Sequence, residues 1–378
     1  MYSKFEFELE FITPAFIGGA FNEEEVELRP ASLIGSLRYW FRNLLGTITD
    51  NVDAIYKLEE ELFGSQQKAG AVKVKVKPQS ELQNYIKNQL PRGVSYIAYG
   101  LQGRPYLDIG SKFQITFLVP KKYEDLFVSF LYIYNFLGSL GGRSRRGWGN
   151  FILKPISGLK EEFKNLNWEV FAERDFQQSF ILFLNNIKLK STRSKLWIFA
   201  FKFLPLYRIL KKNTNKGKLI LSLLASLSTQ YKRKRQQYKP GKQEEDYIVY
   251  NLIWLGLPIL GAKVVSSSKG VSFKVNINFG CEKNKKFTKT RLASPVSFRV
   301  IKTDINKYSI LRLVKIYSEK AIKSFLKNEQ SFSTWHIKVK AGYDCSVKAF
   351  NSRTESQVVS EYSLENFMSE FFKGWEAK

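Results

Sequence analysis

The chain has 378 residues, 44% of them hydrophobic and 31 of them Phe, enough for sizeable buried cores and too many for a wholly disordered protein. Sixty Lys and Arg against 34 Asp and Glu leave a formal charge of +26, an excess that fits a polyanionic partner, nucleic acid ahead of an anionic membrane surface. Two cysteines, Cys281 and Cys345, are too few for a disulfide framework, and the absence of any long apolar run or signal-peptide core leads us to expect a cytoplasmic protein without a membrane partner.

Residues 4–11, KFEFELEF, alternate strictly and predict a half-buried strand with Phe5, Phe7, Leu9 and Phe11 on its inner side. Residues 31–45, ASLIGSLRYWFRNLL, have helical spacing, with Ser32 placed to cap the start and Gly46 to end it. Arg38 and Arg42, one turn apart, flank its apolar face. A second helix over 52–63 ends at Gly64. Residues 69–78, AGAVKVKVKP, read as a strand with Lys73, Lys75 and Lys77 outward. A strand over 112–119, a helix over 122–140 and a short strand NFILK complete a β-α-β-β-α-β order, the ferredoxin-like pattern.

The pattern breaks after about residue 155. The second half predicts a strand at 179–190, helices at 205–212, 217–231 and 246–256, strands at 271–279, 294–302 and 335–341, and a terminal helix at 362–374. The expected fold class is α+β, two ferredoxin-like (RRM-like) modules with helical and loop insertions. Residues 1–158 form the first, 159–178 a linker, and 179–378 a strongly basic second module. Charge is segregated: from Phe176 to Gln243 there is no Asp or Glu but 16 Lys or Arg, ending in YKRKRQQYKPGK.

The segment GGRSRRGWGN (141–150) is the chief candidate site. Glycine lets backbone N–H groups approach an anion, and the guanidinium fork matches phosphate oxygens. Gly141, Gly142, Arg143, Arg145, Arg146 and Gly147 are therefore phosphate-binding candidates, with Trp148 beside them as a stacking surface. A nucleotide-triphosphate loop is ruled out because Trp148-Gly149 stand where Lys-Ser/Thr is required. Lys73 and Lys75 either track phosphates or guard an edge strand. Arg38 and Arg42 either contact phosphate or form a salt-bridged stripe. Trp40 is either a base-stacking platform or core, and Phe41 is core. Catalytic signals are thin. The one histidine, His336, falls in a predicted strand, no His/Cys/Asp group has metal-ligand spacing, and no cofactor motif is present. A metal-independent ribonuclease, which needs only a positioned base and Arg or Lys, stays open on this reading.

Five blocks occur in one order: TPAFIGGA (13–20), ELRPASLIGSLRYWFRNLLG (27–46), LEEELFGS (58–65), GGRSRRGWGNF (141–151) and RLASPVSFRV (291–300). Together they resemble the RAMP superfamily of CRISPR proteins, and within it the first Cmr-type subunits of type III-B effectors. The resemblance implies a non-catalytic RNA-binding subunit of an antiviral ribonucleoprotein, engaging the guide RNA near its 3′ end and target RNA beside other Cmr-type subunits. It makes Arg143, Arg145, Arg146, Arg38, Trp40 and Arg42 RNA-contact candidates, and adds Arg291 and Ser294. The rival within the superfamily is an endoribonuclease that processes CRISPR RNA.

Overall fold

The computed structural model describes residues 1–18, 26–49, 51–79, 85–86, 90, 92–101, 103–187, 200–204, 216–237, 273–280, 286–289, 296–305, 307–314, 334–341 and 350–351. Residues 1–230 with 298–313 make one compact unit, and 231–297 with 314–378 another.

The first unit is built on β1 (Tyr2–Phe11). Its alternation does what a pleated strand requires: Phe5, Phe7, Leu9 and Phe11 are buried while Lys4, Glu6 and Glu8 reach solvent. Helix α1 spans Pro30–Ile48, α2 Val52–Phe63, and β2 Lys73–Pro78. Two short strands, β3 (Tyr85–Ile86) and β4 (Tyr106–Leu107), pair with each other. They precede β5 (Lys112–Pro120), α3 (Glu124–Leu137) and β6 (Phe151–Ser157). The sheet order is β2-β5-β1-β6, every pairing antiparallel. Aromatic rings fill the space between sheet and helices: Phe41 meets Phe130 edge-on at 5.1 Å, and Phe117 meets Phe127 at 5.1 Å.

Helix α1 begins earlier than Ser32. Pro30 occupies the first turn, where its missing N–H costs nothing, and Arg29 is the cap residue. The helix also runs through Gly46, because burial of Leu44, Leu45 and Ile48 outweighs the glycine penalty. Residues 159–178 are not a linker. They include α4 (Glu161–Lys164), and Leu159, Phe163, Leu166, Trp168 and Phe176 are buried in the core, Trp168 against Phe7 at 5.2 Å.

Residues 179–186 of the strand expected at 179–190 are instead part of α5 (Glu173–Asn186), and 188–190 lie outside the described residues. Phe176, Phe180 and Phe183 recur at helical spacing and reach the core, where Phe183 stands edge-on to Phe41 at 6.0 Å. Further on lie β7 (Ala200–Leu204) and α6 (Lys216–Gln237). The first seven residues of the basic run YKRKRQQYK are thus helical.

Strands β8 (Phe273–Gly280) and β9 (Lys286–Lys289) follow, then β10 (Val296–Asp304) and β11 (Lys307–Val314). The last two form a sheet with β7 in the order β10-β11-β7. The second unit contains a four-stranded sheet of order β13-β12-β8-β9, with β12 at Thr334–Ala341 and β13 at Phe350–Asn351. His336 lies in β12 opposite Asn278. The chain is therefore α+β, and the β2-β5-β1-β6, β3-β4 and β13-β12-β8-β9 sheets are antiparallel. The helices expected at 205–212, 246–256 and 362–374 lie outside the described residues. Among the described residues no helix is long and apolar enough to cross a membrane.

Candidate nucleic-acid interface

Two sequence motifs far apart in the chain form one structure at the end of β1. Ile12 N donates to Asn150 O at 2.9 Å, Asn150 N to Thr13 Oγ1 at 2.8 Å, Gly149 N to Pro14 O at 2.9 Å and Gly142 N to Phe16 O at 2.7 Å. The segment after β1 and the glycine-rich loop are thereby zipped backbone to backbone. The glycines serve close approach. Gly141 has φ +89°, and a Cβ there would run into the Phe16 carbonyl oxygen; Gly149 has φ +64°, and a Cβ there would run into that of Leu140. The loop is a fixed ridge.

The three loop arginines have different surroundings. Arg143 takes a left-handed backbone, φ 55°, and its Nε donates to Tyr99 O at 2.9 Å. Arg146 N closes a turn onto Arg143 O at 2.7 Å. The Arg145 guanidinium lies 6.0 Å from the centre of the Tyr39 ring. Gly147 and Trp148 are buried. Trp148 has no exposed surface and packs edge-on against Phe16 at 5.1 Å, so it supports the ridge and offers no stacking surface to a base.

Beside Gly141 and Gly142 opens a cleft of about 270 Å³, and Arg29, Ser32 and Arg104 line it together with an apolar floor that includes Phe16 and Leu101. Both arginines are exposed. The cleft lies at the start of α1, whose first turn contains no acidic residue to neutralise the positive end of the helix. Two exposed guanidinium groups at a helix N-terminus without an acidic residue are chemistry suited to an oxyanion such as phosphate. Arg29 and Arg104 were not among the sequence candidates. The Arg-Pro pair at a helix start was the signal for the first; nothing local marks the second.

Other candidates stand elsewhere. Arg38 Nε sits 2.6 Å from Glu59 Oε1 and Arg42 Nε 3.4 Å from Oε2, so both belong to an internal ion cluster between α1 and α2. Trp40 is 5% exposed and belongs to the core, as does Phe41, which excludes Trp40 as a stacking platform. Lys73 and Lys75 are exposed on β2, an edge strand, and Lys73 Nζ donates to Gly70 O at 2.9 Å. Through β5 they align with Lys4 and Glu6 of β1, roughly 20–26 Å along the strand from Ile12, where the ridge is joined. Arg291 and Ser294 lie outside the described residues.

Sequence reasoning missed Arg299. It is 2% exposed, its guanidinium is 5.4 Å from the Trp40 ring centre, and burial pulls its pKa down to about 9. Burial also raises the Tyr134 phenol, whose hydroxyl donates to Ser36 Oγ at 2.9 Å. Among the described residues no group of three His, Cys, Asp or Glu side chains is placed to hold a metal ion.

Residues 8–152 match the model of the RAMP superfamily. Two relatives from Pyrococcus furiosus are CRISPR system Cmr subunits. Cmr1-1 is 30% identical over 179 residues, 43% of this chain and 53% of the relative. Cmr1-2 is 29% identical over 178 residues, 40% of this chain and 95% of the relative. The match thus spans about half the length of Cmr1-1. The crystal structure of apo Cmr1 from the same organism covers 95% of this chain and 96% of that one, at 20% identity and a TM-score of 0.53, and shares its fold. Residues 8–152 are thus similar to the RAMP superfamily, and the chain is similar to Cmr1-type subunits.

Proposed function

We propose that this protein is a non-catalytic RNA-binding subunit of a type III-B CRISPR effector in the cytoplasm, assembled with other Cmr-type subunits. In this reading it engages the guide RNA near its 3′ end and target RNA. The carrying observation is the cleft lined by Arg29, Arg104, Gly141 and Gly142 at the start of α1, next to the loop that carries Arg143, Arg145 and Arg146. Similarity to Cmr subunits supports the same reading from outside the geometry. The sheet order β2-β5-β1-β6 supports a ferredoxin-like first module, while the antiparallel β13-β12-β8-β9 sheet has a different strand order.

Guide and target sequences vary, so recognition falls on phosphates and shape. Guanidinium groups and backbone N–H donors read these without regard to base identity. Each phosphate neutralised on a single strand contributes about −0.7 to the slope of log affinity against log salt. The test is a salt titration of single-stranded RNA binding by the wild type and by a variant with Arg29, Arg104, Arg143, Arg145 and Arg146 replaced by Ala. Folded variant protein should bind more weakly and with a flatter slope; an unchanged slope refutes the assignment. Incubation with end-labelled RNA, with and without chelator, addresses the rival: specific cleavage by the purified chain would make it a ribonuclease.

A further inference from the structure

The glycine-rich ridge is held from behind by a strand about 150 residues further along the chain. Phe298 N donates to Arg145 O at 3.0 Å, and Val300 N donates to Asn150 Oδ1 at 2.9 Å. Further along β10, Lys302 O accepts from Phe171 N at 2.9 Å. Between the two ridge contacts sits Arg299. Its guanidinium stacks on Trp40 of α1, Trp40 stands edge-on to Tyr39 at 5.6 Å, and Arg145 of the ridge lies over Tyr39. Two guanidinium groups therefore bracket one aromatic pair, the first on the buried strand and the second on the ridge.

This placement is costly for stability. Arg299 Nε and Nη1 have no hydrogen-bond partner among the described residues, and the groups that act on its charge are Tyr134 and Tyr39, with no carboxylate among them. A buried cation without a counter-ion costs several kcal/mol, and an apolar side chain of similar length would serve packing better. Among the described residues, fold maintenance alone therefore gives no reason for arginine here.

We propose that Arg299 is a positioning residue for RNA binding: stacked on Trp40, it sets β10 against the glycine-rich ridge so that Arg145 and its neighbours are aimed at the phosphates. The proposal rests on the RNA-binding reading above. It also means that the interface of the RAMP-type region is completed from sequence beyond residue 290.

The experiment compares Arg299→Met, Arg299→Lys and the wild type in full-length protein, measuring urea stability and salt-dependent binding of single-stranded RNA. Arg299→Met keeps length and loses charge, so its stability should hold or rise. Its RNA affinity should nevertheless fall about tenfold, with a slope flatter by about 0.7, the loss of about one phosphate contact. Arg299→Lys retains a stackable cation and should recover part of the affinity. A stability gain with an affinity loss is a split that a purely structural residue cannot produce. Arg299→Met with wild-type affinity and slope, or with an affinity loss that only follows loss of folded protein, overturns the proposal. The variant with Arg29, Arg104, Arg143, Arg145 and Arg146 replaced by Ala runs in parallel. If it too binds like wild type, the RNA reading fails; if it loses binding while Arg299→Met does not, only the positioning role fails.

Discussion

Arg38 Nε lies 2.6 Å from Oε1 of Glu59, a carboxylate with no exposed surface. Arg42 approaches the other oxygen at 3.4 Å while remaining half exposed. The α1 arginines thus fasten α2 to α1, and their effect should be on stability. Arg38→Ala leaves a buried carboxylate with one distant partner and should cost about 3 kcal/mol. Glu59→Gln leaves two arginines that can still reach water and should cost about 1 kcal/mol. Urea denaturation measures both. The assignment also requires the salt slope of RNA binding by folded Arg38→Ala to match the wild type; a flatter slope would return Arg38 to the interface.

The ridge should fail at its glycines in a way flexible loops do not. Gly149→Ala places a Cβ against the Leu140 carbonyl oxygen in a backbone region that disfavours side chains. The Gly149 N to Pro14 O bond must then lengthen or the ridge must shift, at a cost of about 3 kcal/mol or more. Gly103→Ala is the control: its φ is also positive, at +79°, but open space surrounds it, so it should cost about 1 kcal/mol. Thermal unfolding of the two variants separates backbone strain from collision. Equal losses would mean that the close approach at Gly149 is not what holds the ridge.

The strict alternation of β1 and the regular apolar spacing of α1 and α3 can be read from sequence because each depends on neighbours within a few residues. The α5 reading failed because FQQSFILFLNN contains both a short apolar run and a helical stripe. The arbiter was the distant Phe41 ring that Phe183 meets. The same limit governs the site. GGRSRRGWGN identifies itself by composition, but Trp148 looks the same in sequence whether it faces RNA or core. The Phe16 ring against which it packs decides the matter, 132 positions earlier in the chain. Arg299 was invisible for the same reason: between Phe298 and Val300 it reads as the outward residue of a strand, and only the aromatic pair on α1 shows why it points inward.

The outer face of the first sheet should not bind RNA. Its centre carries Glu6, Glu8 and Glu10, matched by Lys4 at 2.9 Å, Lys112 at 2.9 Å and Lys154 at 2.9 Å respectively. A phosphate crossing this face would meet carboxylates between the lysine rows. Lys75→Ala and Lys112→Ala should each change RNA affinity less than about twofold at 0.15 M salt, where a Debye length of about 8 Å isolates them from the ridge. Anisotropy titrations would test this. A drop in slope near 0.7 for Lys75→Ala would make β2 a second phosphate track.

Alkaline pH should open the first unit near the ridge. The Tyr106 ring packs against Phe16 at 5.2 Å, and Phe16 in turn against Trp148, so Tyr106 belongs to the aromatic stack beneath Gly142. Burial, helped by the charge of Asp108, pushes its pKa from 10 up to about 12. A phenol harder to ionise when folded favours the folded state fully below pH 10, and that contribution fades as pH rises from 10 to 12, because the unfolded chain releases its proton first. At pH 11 the loss from this one group is about 1.4 kcal/mol. Tyr106→Phe removes the titration but keeps the ring. Between pH 9 and pH 11 its stability in urea should therefore fall by about 1.4 kcal/mol less than that of the wild type. The remaining decline, shared by both proteins, is expected from the buried Tyr132 and Tyr134, whose pKa values are also raised. If the two proteins lose stability in parallel over this range, Tyr106 ionises as readily folded as unfolded, and the packing of its ring under the ridge is looser than the structure has it.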